Sequence, residues 1–386
     1  MHLTFTCHPP GMLAAMTAYR CPQDGTLAET TALTWCCPVC RGPWDLDFEI
    51  TGTLSPGSLA GRVNSLWRYE EVLPLAAPAT TLGEGRTPLV PLTGTVSAKL
   101  DFLMPTLSFK DRGAVMLAEL ARRLNPDRVV ADSSGNAGTA VAAYCARAGL
   151  PCTVYVPEGT SPGKTEQIRA HGARLETVPG GREATALAAR AAADTPGTFY
   201  ASHVFNPYFL HGTKTYVYEL WEDLGGSLPD AIAVPVGNGT LLLGAALATA
   251  ELLAQGLIER RPALLAVQAE AVSPLATAFR AGADDLPADE SPAPTTPTAP
   301  TLAEGIAIPR PPRARQILAA VRASGGTFLT VPEERIRGAQ LDLAARGLHV
   351  ETTGAVCWAA VGDWTEGSVV VPLCGAGLKT GLAAPH

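Results

Sequence analysis

RVVADSSGNAGTAVAAYCARA, residues 128–148, is the stretch whose reading decides the fold class. It opens on a short β-branched run, 128–131, turns through SSGN, and continues as an alanine-rich helical run over 137–148. That order is strand, turn, helix. Outward from it the same rhythm recurs. The pattern predicts strands at 152–156, 175–178, 231–236, 264–268 and 369–373. Helices are expected at 163–171, 183–193 and 240–255. Apolar runs of this length between helices read as parallel strands buried on both faces in βαβ units. The expected fold class is therefore α/β, with two open, mainly parallel-sheet lobes.

The chain has 386 residues, enough for two sizeable cores. Its 29 basic and 36 acidic residues give a net charge of −7, with no Lys/Arg-rich run, so neither nucleic acid nor an anionic membrane is an expected partner. The most apolar stretch, 241–253, is broken by Gly244 and Glu251 and falls short of the ~20 residues a bilayer needs. The N-terminal MHLTFTCHPPG has no basic segment leading into an apolar one, so no secretory signal is expected. Nine cysteines, four of them between Cys21 and Cys40, favour reduced thiols or metal ligands in the cytoplasm. Residues 1–50 read as a small cysteine-bearing lobe, and 51–380 as the catalytic body. Within the body, 281–301 (AGADDLPADESPAPTTPTAPT) is too polar and proline-rich to order itself; it is a mobile surface loop or a lid over substrate.

Three features carry chemistry. In PTLSFKDRG (105–113) a helical run follows at once, which places Lys110 at or just before a helix N-terminus. A cation there opposes the helix dipole by ~0.3–1 kcal/mol, and the same field favours the neutral amine that forms imines. A solvated lysine is the plainer alternative. Two glycine turns, SSGNAG (133–138) and GNGTLLLG (237–244), each join a strand to a helix. The amides of 237–241 and the Thr240 hydroxyl suit a bound phosphate, while neither turn has the spacing of a dinucleotide or Walker loop. Finally, VVVPLCGAGLK (369–379) puts Cys374 at the carboxyl end of a buried strand, where ligands bind in open sheets. A buried structural cysteine is the alternative there.

Together with WRYEEVLPL (67–75), LGEGRTPLVPL (82–92), PEGTSPGKTEQIRAHGA, NPYFLHGTKTYVYEL, VPVGNGT and AEGIAIP, these motifs resemble the threonine synthase group of fold-type II pyridoxal-phosphate enzymes. The resemblance implies a fold like that of the tryptophan synthase β chain, a small amino-acid substrate and a homodimer. It implies that Lys110 holds pyridoxal 5'-phosphate as an imine and that Asn136 hydrogen-bonds the cofactor's 3-hydroxyl. Gly237, Asn238, Gly239, Thr240 and Leu241 would hold the phosphate, Cys374 would face the pyridine nitrogen, and Ser133, Ser134 and Ala137 would lie on the substrate side. A neutral thiol at the pyridine makes the cofactor a weaker electron sink, suited to eliminations and replacements. The implied reaction converts O-phosphohomoserine and water to threonine and phosphate. β-Elimination or β-replacement on serine, threonine or phosphoserine is the sibling alternative, and a silent amino-acid-binding relative is the alternative of another class.

The chain departs from the group's pattern at several places. Leu107 stands where Gly is common, Cys374 where Thr is, Ala376 where His is, and Thr380 where Asp is. Phe209 stands where members that use phosphohomoserine carry an arginine, and Ala137 where they often carry Thr. His203, His211, Lys164, Arg169 and Lys214 are the basic residues that could substitute. Many relatives open with two CxxC knuckles that bind zinc. Here Cys37-Pro-Val-Cys40 is intact and Cys21-Pro-Gln-Asp24 carries an acid in place of the second sulfur. A Cys3Asp zinc site is one expectation, with Cys36 or Cys7 as substitute ligands; a ribbon that folds without metal is the other.

Overall fold

The computed structural model describes residues 17–76, 78–287 and 301–382. Its N-terminal part is an antiparallel sheet of three short strands, β1 (Ala18–Arg20), β2 (Leu27–Glu29) and β3 (Asp45–Asp47), in the order β2-β1-β3. This sheet has too little apolar surface to stand alone, and two devices fix it to the body. Tyr19 meets the Tyr208 ring edge-on at 6.4 Å, and the buried Arg313 guanidinium donates to Trp44 O, Asp45 Oδ1 (2.7 Å) and Val204 O (2.8 Å).

The body begins with an antiparallel pair, β4 (Leu89–Pro91) and β5 (Val96–Lys99), followed by α1 (Lys110–Leu124). Helix α1 ends at Asn125 in the left-handed region, ahead of Pro126, a common stop. Next come β6 (Arg128–Ala131), α2 (Asn136–Ala148), β7 (Cys152–Pro157), α3 (Pro162–Ala170), β8 (Arg174–Val178), α4 (Arg182–Ala193) and β9 (Thr198–Tyr200). Their strands form a parallel sheet in the order β8-β7-β6-β9. Helices α5 (Tyr208–Thr213) and α6 (Thr215–Asp223) then lead to β10 (Ala231–Pro235), α7 (Thr240–Ala254), β11 (Ala263–Ala269) and α8 (Pro274–Arg280). The chain finishes with α9 (Ala314–Ala323), β12 (Thr327–Val331), α10 (Glu333–Ala345), α11 (Thr352–Val361) and β13 (Val369–Pro372). The second sheet runs β12-β11-β10-β13-β5-β4, parallel except for the β4–β5 edge.

The expected two parallel sheets are therefore present, and every strand and helix predicted from the β-branched and alanine-rich runs lies within a residue or two of its observed bounds. The prediction for 281–301 falls mostly on 288–300, outside the described residues.

Beneath α1 lies a buried ion network. Arg112, with no exposed surface, donates from Nε and Nη2 to Asp101 (both 2.8 Å) and from Nη1 and Nη2 to Glu219 (2.6 and 2.9 Å). Lys99 joins Glu219 at 3.1 Å and Asp223 at 2.7 Å. The first turn of α1 is thereby fastened to β5 and α6, and its position in the site follows. Among the described residues no helix is long and apolar enough to cross a membrane.

Candidate active site

The segment before α1 lies against the chain beyond β13. Phe102 N donates to Leu373 O (2.9 Å), Phe109 N to Cys374 O (2.9 Å), and Ala376 N to Leu107 O (3.0 Å). Asp111 closes the turn from the other side by accepting from Thr106 N at 2.6 Å. To make these contacts Leu107 adopts φ +62°, the left-handed conformation that explains why glycine is common there.

Lys110 is the first residue of α1 and is only partly exposed. Its Nζ lies 4.2 Å from the centre of the Phe109 ring and 5.9 Å from that of Phe209. Burial among these rings lowers the amine to about 8; Cys374 and Glu351 act against the shift, and Arg182 adds to it. A lysine that sheds its proton near neutrality is what imine formation requires.

Asn136, the first residue of α2, is held from both sides. Its Nδ2 donates to both carboxylate oxygens of Glu351 (3.1 and 3.0 Å), and its Oδ1 accepts from Lys379 Nζ (3.0 Å), which also donates to Thr106 O. Glu351 is buried, and burial raises its carboxyl above the usual range. Glu351 N donates to Gly375 O (2.9 Å), and a Cβ at Gly375 would sit 2.5 Å from the Glu351 carboxyl. A side chain at 375 would push that carboxyl off Asn136.

The 237–241 turn is a tight cradle. A Cβ at Gly237 would lie 2.8 Å from Ile306 Cα, and one at Gly239 (φ +73°) 2.4 Å from Ile317 Cδ1. Helix α7 starts here with no side-chain cap, so its first amides are available to an anion beside the buried Thr240 and Leu241. Asn238 Nδ2 lies 3.3 Å from His203 Nε2. Cys374 is wholly buried, and burial pushes its thiol well up, so it is neutral. Ser133 to Ala137 wrap the start of α2, with the Ser133 carbonyl so close that a Cβ at Gly138 would overlap it. The Ser108 hydroxyl, buried beside Gly375, has no partner among the described residues. A buried lysine with a lowered amine, an amide, an uncapped glycine turn and a neutral thiol are groups that could hold pyridoxal phosphate.

Of the basic residues considered as phosphate ligands, three are otherwise engaged. Burial pushes the imidazoles of His203 and His211 well below their usual range, so both are neutral. Lys214 is buried in an ion pair with Glu251 at 2.7 Å. The exposed Arg169 donates to the buried Thr165 Oγ1 (2.9 Å) on α3; Lys164 is also on α3, and its side chain lies outside the described atoms. Phe209 is wholly buried against Gly113, where a Cβ would lie 2.4 Å from its ring. Residues that the sequence did not single out are Glu351 and Arg182. The signal for Glu351 was a lone acid heading the apolar run TTGAVCWAAV.

In the N-terminal lobe Cys21, Asp24, Cys37 and Cys40 converge, with one donor atom from each all within 4.8 Å of one another. The amides of Gln23, Val39 and Gly42 donate to the three sulfurs at 3.3–3.4 Å, as knuckle backbones do around thiolate ligands. Cys36 is not among the four, and Cys7 lies outside the described residues.

The chain belongs to the pyridoxal-phosphate dependent enzyme family, whose model matches residues 80–375. Within that class it stands with the threonine synthase group. It is 30% identical to the threonine synthase of Methanosarcina acetivorans over 362 residues, 91% of this chain and 87% of that one. Identity to the Mycobacterium leprae threonine synthase is 34% over 330 residues, 81% and 87% of the two chains. Among solved structures, a threonine deaminase from T.th. superposes with a TM-score of 0.63 at 29% identity, covering 78% of this chain and 94% of that one. Maize serine racemase shares the fold, with a TM-score of 0.64 at 22% identity over 76% and 88%.

Proposed function

We propose that this enzyme is a threonine synthase, converting O-phosphohomoserine and water to threonine and phosphate. The observation that carries the reading is Lys110: a buried amine lowered to about 8 at the start of α1, within electrostatic range of Cys374 and of Glu351, the carboxylate that holds Asn136. The threonine synthase relatives span most of the chain. In this reading Lys110 binds pyridoxal phosphate, Asn136 receives the 3-hydroxyl, 237–241 the phosphate and Cys374 the pyridine nitrogen. Ser133, Ser134 and Ala137 border the substrate carboxylate. Bound there, the cofactor supplies an electron sink for carbanions at Cα and Cβ. The Lys110 amine would take and return the proton at the substrate's Cα. A proton also leaves Cβ as phosphate departs from Cγ; water then adds its hydroxyl at Cβ, and protons return to Cα and Cγ. Glu351 and Lys379 hold the Asn136 amide in one orientation throughout.

The sibling reading, β-elimination on serine or threonine, draws on Phe209, which puts a wholly buried ring where an arginine would grip phosphate. Turnover of purified protein on phosphohomoserine, serine, threonine and phosphoserine separates the two. The protein is expected to be yellow and to be reduced by borohydride at Lys110. A colourless protein, or a Lys110→Ala variant with full turnover, would overturn the assignment.

The reading extends to a 1–50 lobe that binds one structural zinc through Cys21, Asp24, Cys37 and Cys40, appended to a 51–380 body. It also describes a cytoplasmic homodimer acting on a small amino acid, with no role for nucleic acid. Three thiolates and one carboxylate are an acceptable tetrahedral set for zinc.

A further inference from the structure

A glycine turn that offers its amides to a phosphate has no side-chain bulk to keep its own shape, so its neighbours must keep it. Around 237–241 those neighbours come from separate stretches of the chain. Asn238 Nδ2 meets His203 Nε2, from the stretch after β9, at 3.3 Å. Gly239 is pressed by Ile317 of α9, where a Cβ would lie 2.4 Å from Cδ1 and 2.6 Å from Cγ1. We infer that Arg313 is a positioning residue for the cofactor's phosphate, because it fastens these two walls of the turn to each other. The inference rests on the proposed placement of that phosphate on 237–241, and adds the group that fixes the turn's shape.

The fastening is direct on both sides. Arg313 stands immediately before α9 and is 1% exposed. Its Nε donates to the carbonyl of Val204, the residue after His203, at 2.8 Å. Its own carbonyl accepts from Ile317 N at 3.0 Å, so Ile317 lies one helical turn along. The guanidinium thus sets the distance between the backbone beside His203 and the turn of α9 that carries Ile317, and the glycine turn touches both.

The rest of the guanidinium is held by the N-terminal lobe. Nη1 donates to Asp45 Oδ1 and to Gln316 Oε1 (both 2.7 Å), and Nη2 to Trp44 O. Gln316 Nε2 donates in turn to Asp45 Oδ2 at 2.7 Å, and Trp44 N to Phe205 O at 3.1 Å. Residues 44–45 are therefore bonded to both walls, to α9 through Gln316 and to 203–205 through Phe205. With its donors in a rigid planar fork, an arginine anchored at Nη1 and Nη2 has its Nε aimed in one direction; a lysine would leave that direction free.

Two roles for this side chain lead to different losses. A guanidinium that only held the lobe would, on removal, lower stability and weaken every ligand of the site alike. A guanidinium that shapes the turn would weaken ligands that carry a phosphate and spare those that lack one. The phosphate separates the two roles; activity does not.

The test compares pyridoxal phosphate with pyridoxal, which can form the same imine on Lys110 and brings no phosphate to the turn. Full-length protein freed of cofactor is titrated with each and followed at the imine band, with near-ultraviolet dichroism as the folding control. The parent is expected to prefer the phosphorylated form. In Arg313→Gln that preference should fall roughly 10- to 100-fold, the span of one charge-assisted contact at the phosphate, and in Arg313→Lys it should recover in part. Ile317→Val removes the Cδ1 atom set against Gly239 and leaves Arg313 in place, so it reads the same wall if Arg313→Gln does not fold. Its preference should fall as well. Folded Arg313→Gln or Ile317→Val protein with the parent's preference, or with an equal loss for pyridoxal, overturns the inference while leaving the phosphate on 237–241. A parent that binds the two forms equally well overturns that placement and the inference together.

Discussion

Raising the pH should switch Lys110 on two units earlier than an ordinary lysine. Imine formation needs the neutral amine, so uptake of pyridoxal phosphate by cofactor-free protein tracks that fraction. With the amine at about 8 rather than 10.5, its neutral fraction at pH 7 is about one-tenth rather than about 0.03%, a gain of roughly 300-fold. The shape of the profile discriminates better than its height. Between pH 8 and 10 uptake should rise only about twofold, whereas a lysine at 10.5 would give about an 80-fold rise. Glu351→Gln adds a directional check, because the Glu351 carboxylate is one of two groups that hold the amine up. Removing its charge should move the midpoint below 8. Stopped-flow absorbance at the imine band measures both, with near-ultraviolet dichroism as a folding control. An uptake rate still climbing steeply beyond pH 9, or a midpoint that rises in Glu351→Gln, would refute the reasoning.

Two further outcomes are expected. Elemental analysis should find one zinc per chain, and Cys37→Ser should lose the metal and melt earlier while keeping its cofactor; catalysis abolished by a chelator in protein that stays folded and loaded would contradict a purely structural metal. In Leu107→Gly, release of left-handed strain worth ~1–2 kcal/mol is offset by the ~0.5–1 kcal/mol entropy of glycine and by the loss of a partly buried side chain. Urea unfolding of the holoenzyme should therefore show a change within about 1 kcal/mol; a much larger loss would mean that the Leu107 side chain holds the segment.

The parts of the fold legible in the sequence were those with one dominant periodicity. Runs such as 231–236 are buried on both faces and so carry nothing but apolar residues. Strand β9 is only Thr-Phe-Tyr, too short to show a period, and β12 (TFLTV) mixes buried and exposed positions. Helix α11 is apolar almost all round and gives no helical stripe. In the site, Lys110 and the two glycine turns were legible because they break local rules, placing a cation at a helix start and glycine where a side chain would collide. Glu351 and Arg182 obey local rules: an acid is welcome before a helix, and an arginine beside Glu183 looks like half of a surface pair. Glu351 takes its meaning from a crossing of 215 residues to Asn136, and Arg182 from the folding that brings its charge to bear on Lys110, neither of which a local pattern encodes.

The order β12-β11-β10-β13-β5-β4 also constrains how the molecule can be made. Of the described strands β13 leaves the ribosome last, yet its place is in the middle of the sheet, between β10 and β5. Until it arrives, the nascent chain holds two half-sheets with facing, unsatisfied backbone edges, the kind of surface that recruits stray strands. Cys374 and Gly375 follow directly behind it, so the floor under Lys110 is laid by the same late insertion. Cofactor capture is then a report on finished folding. A chain stalled before β13 could build most of its core and still be unable to turn yellow.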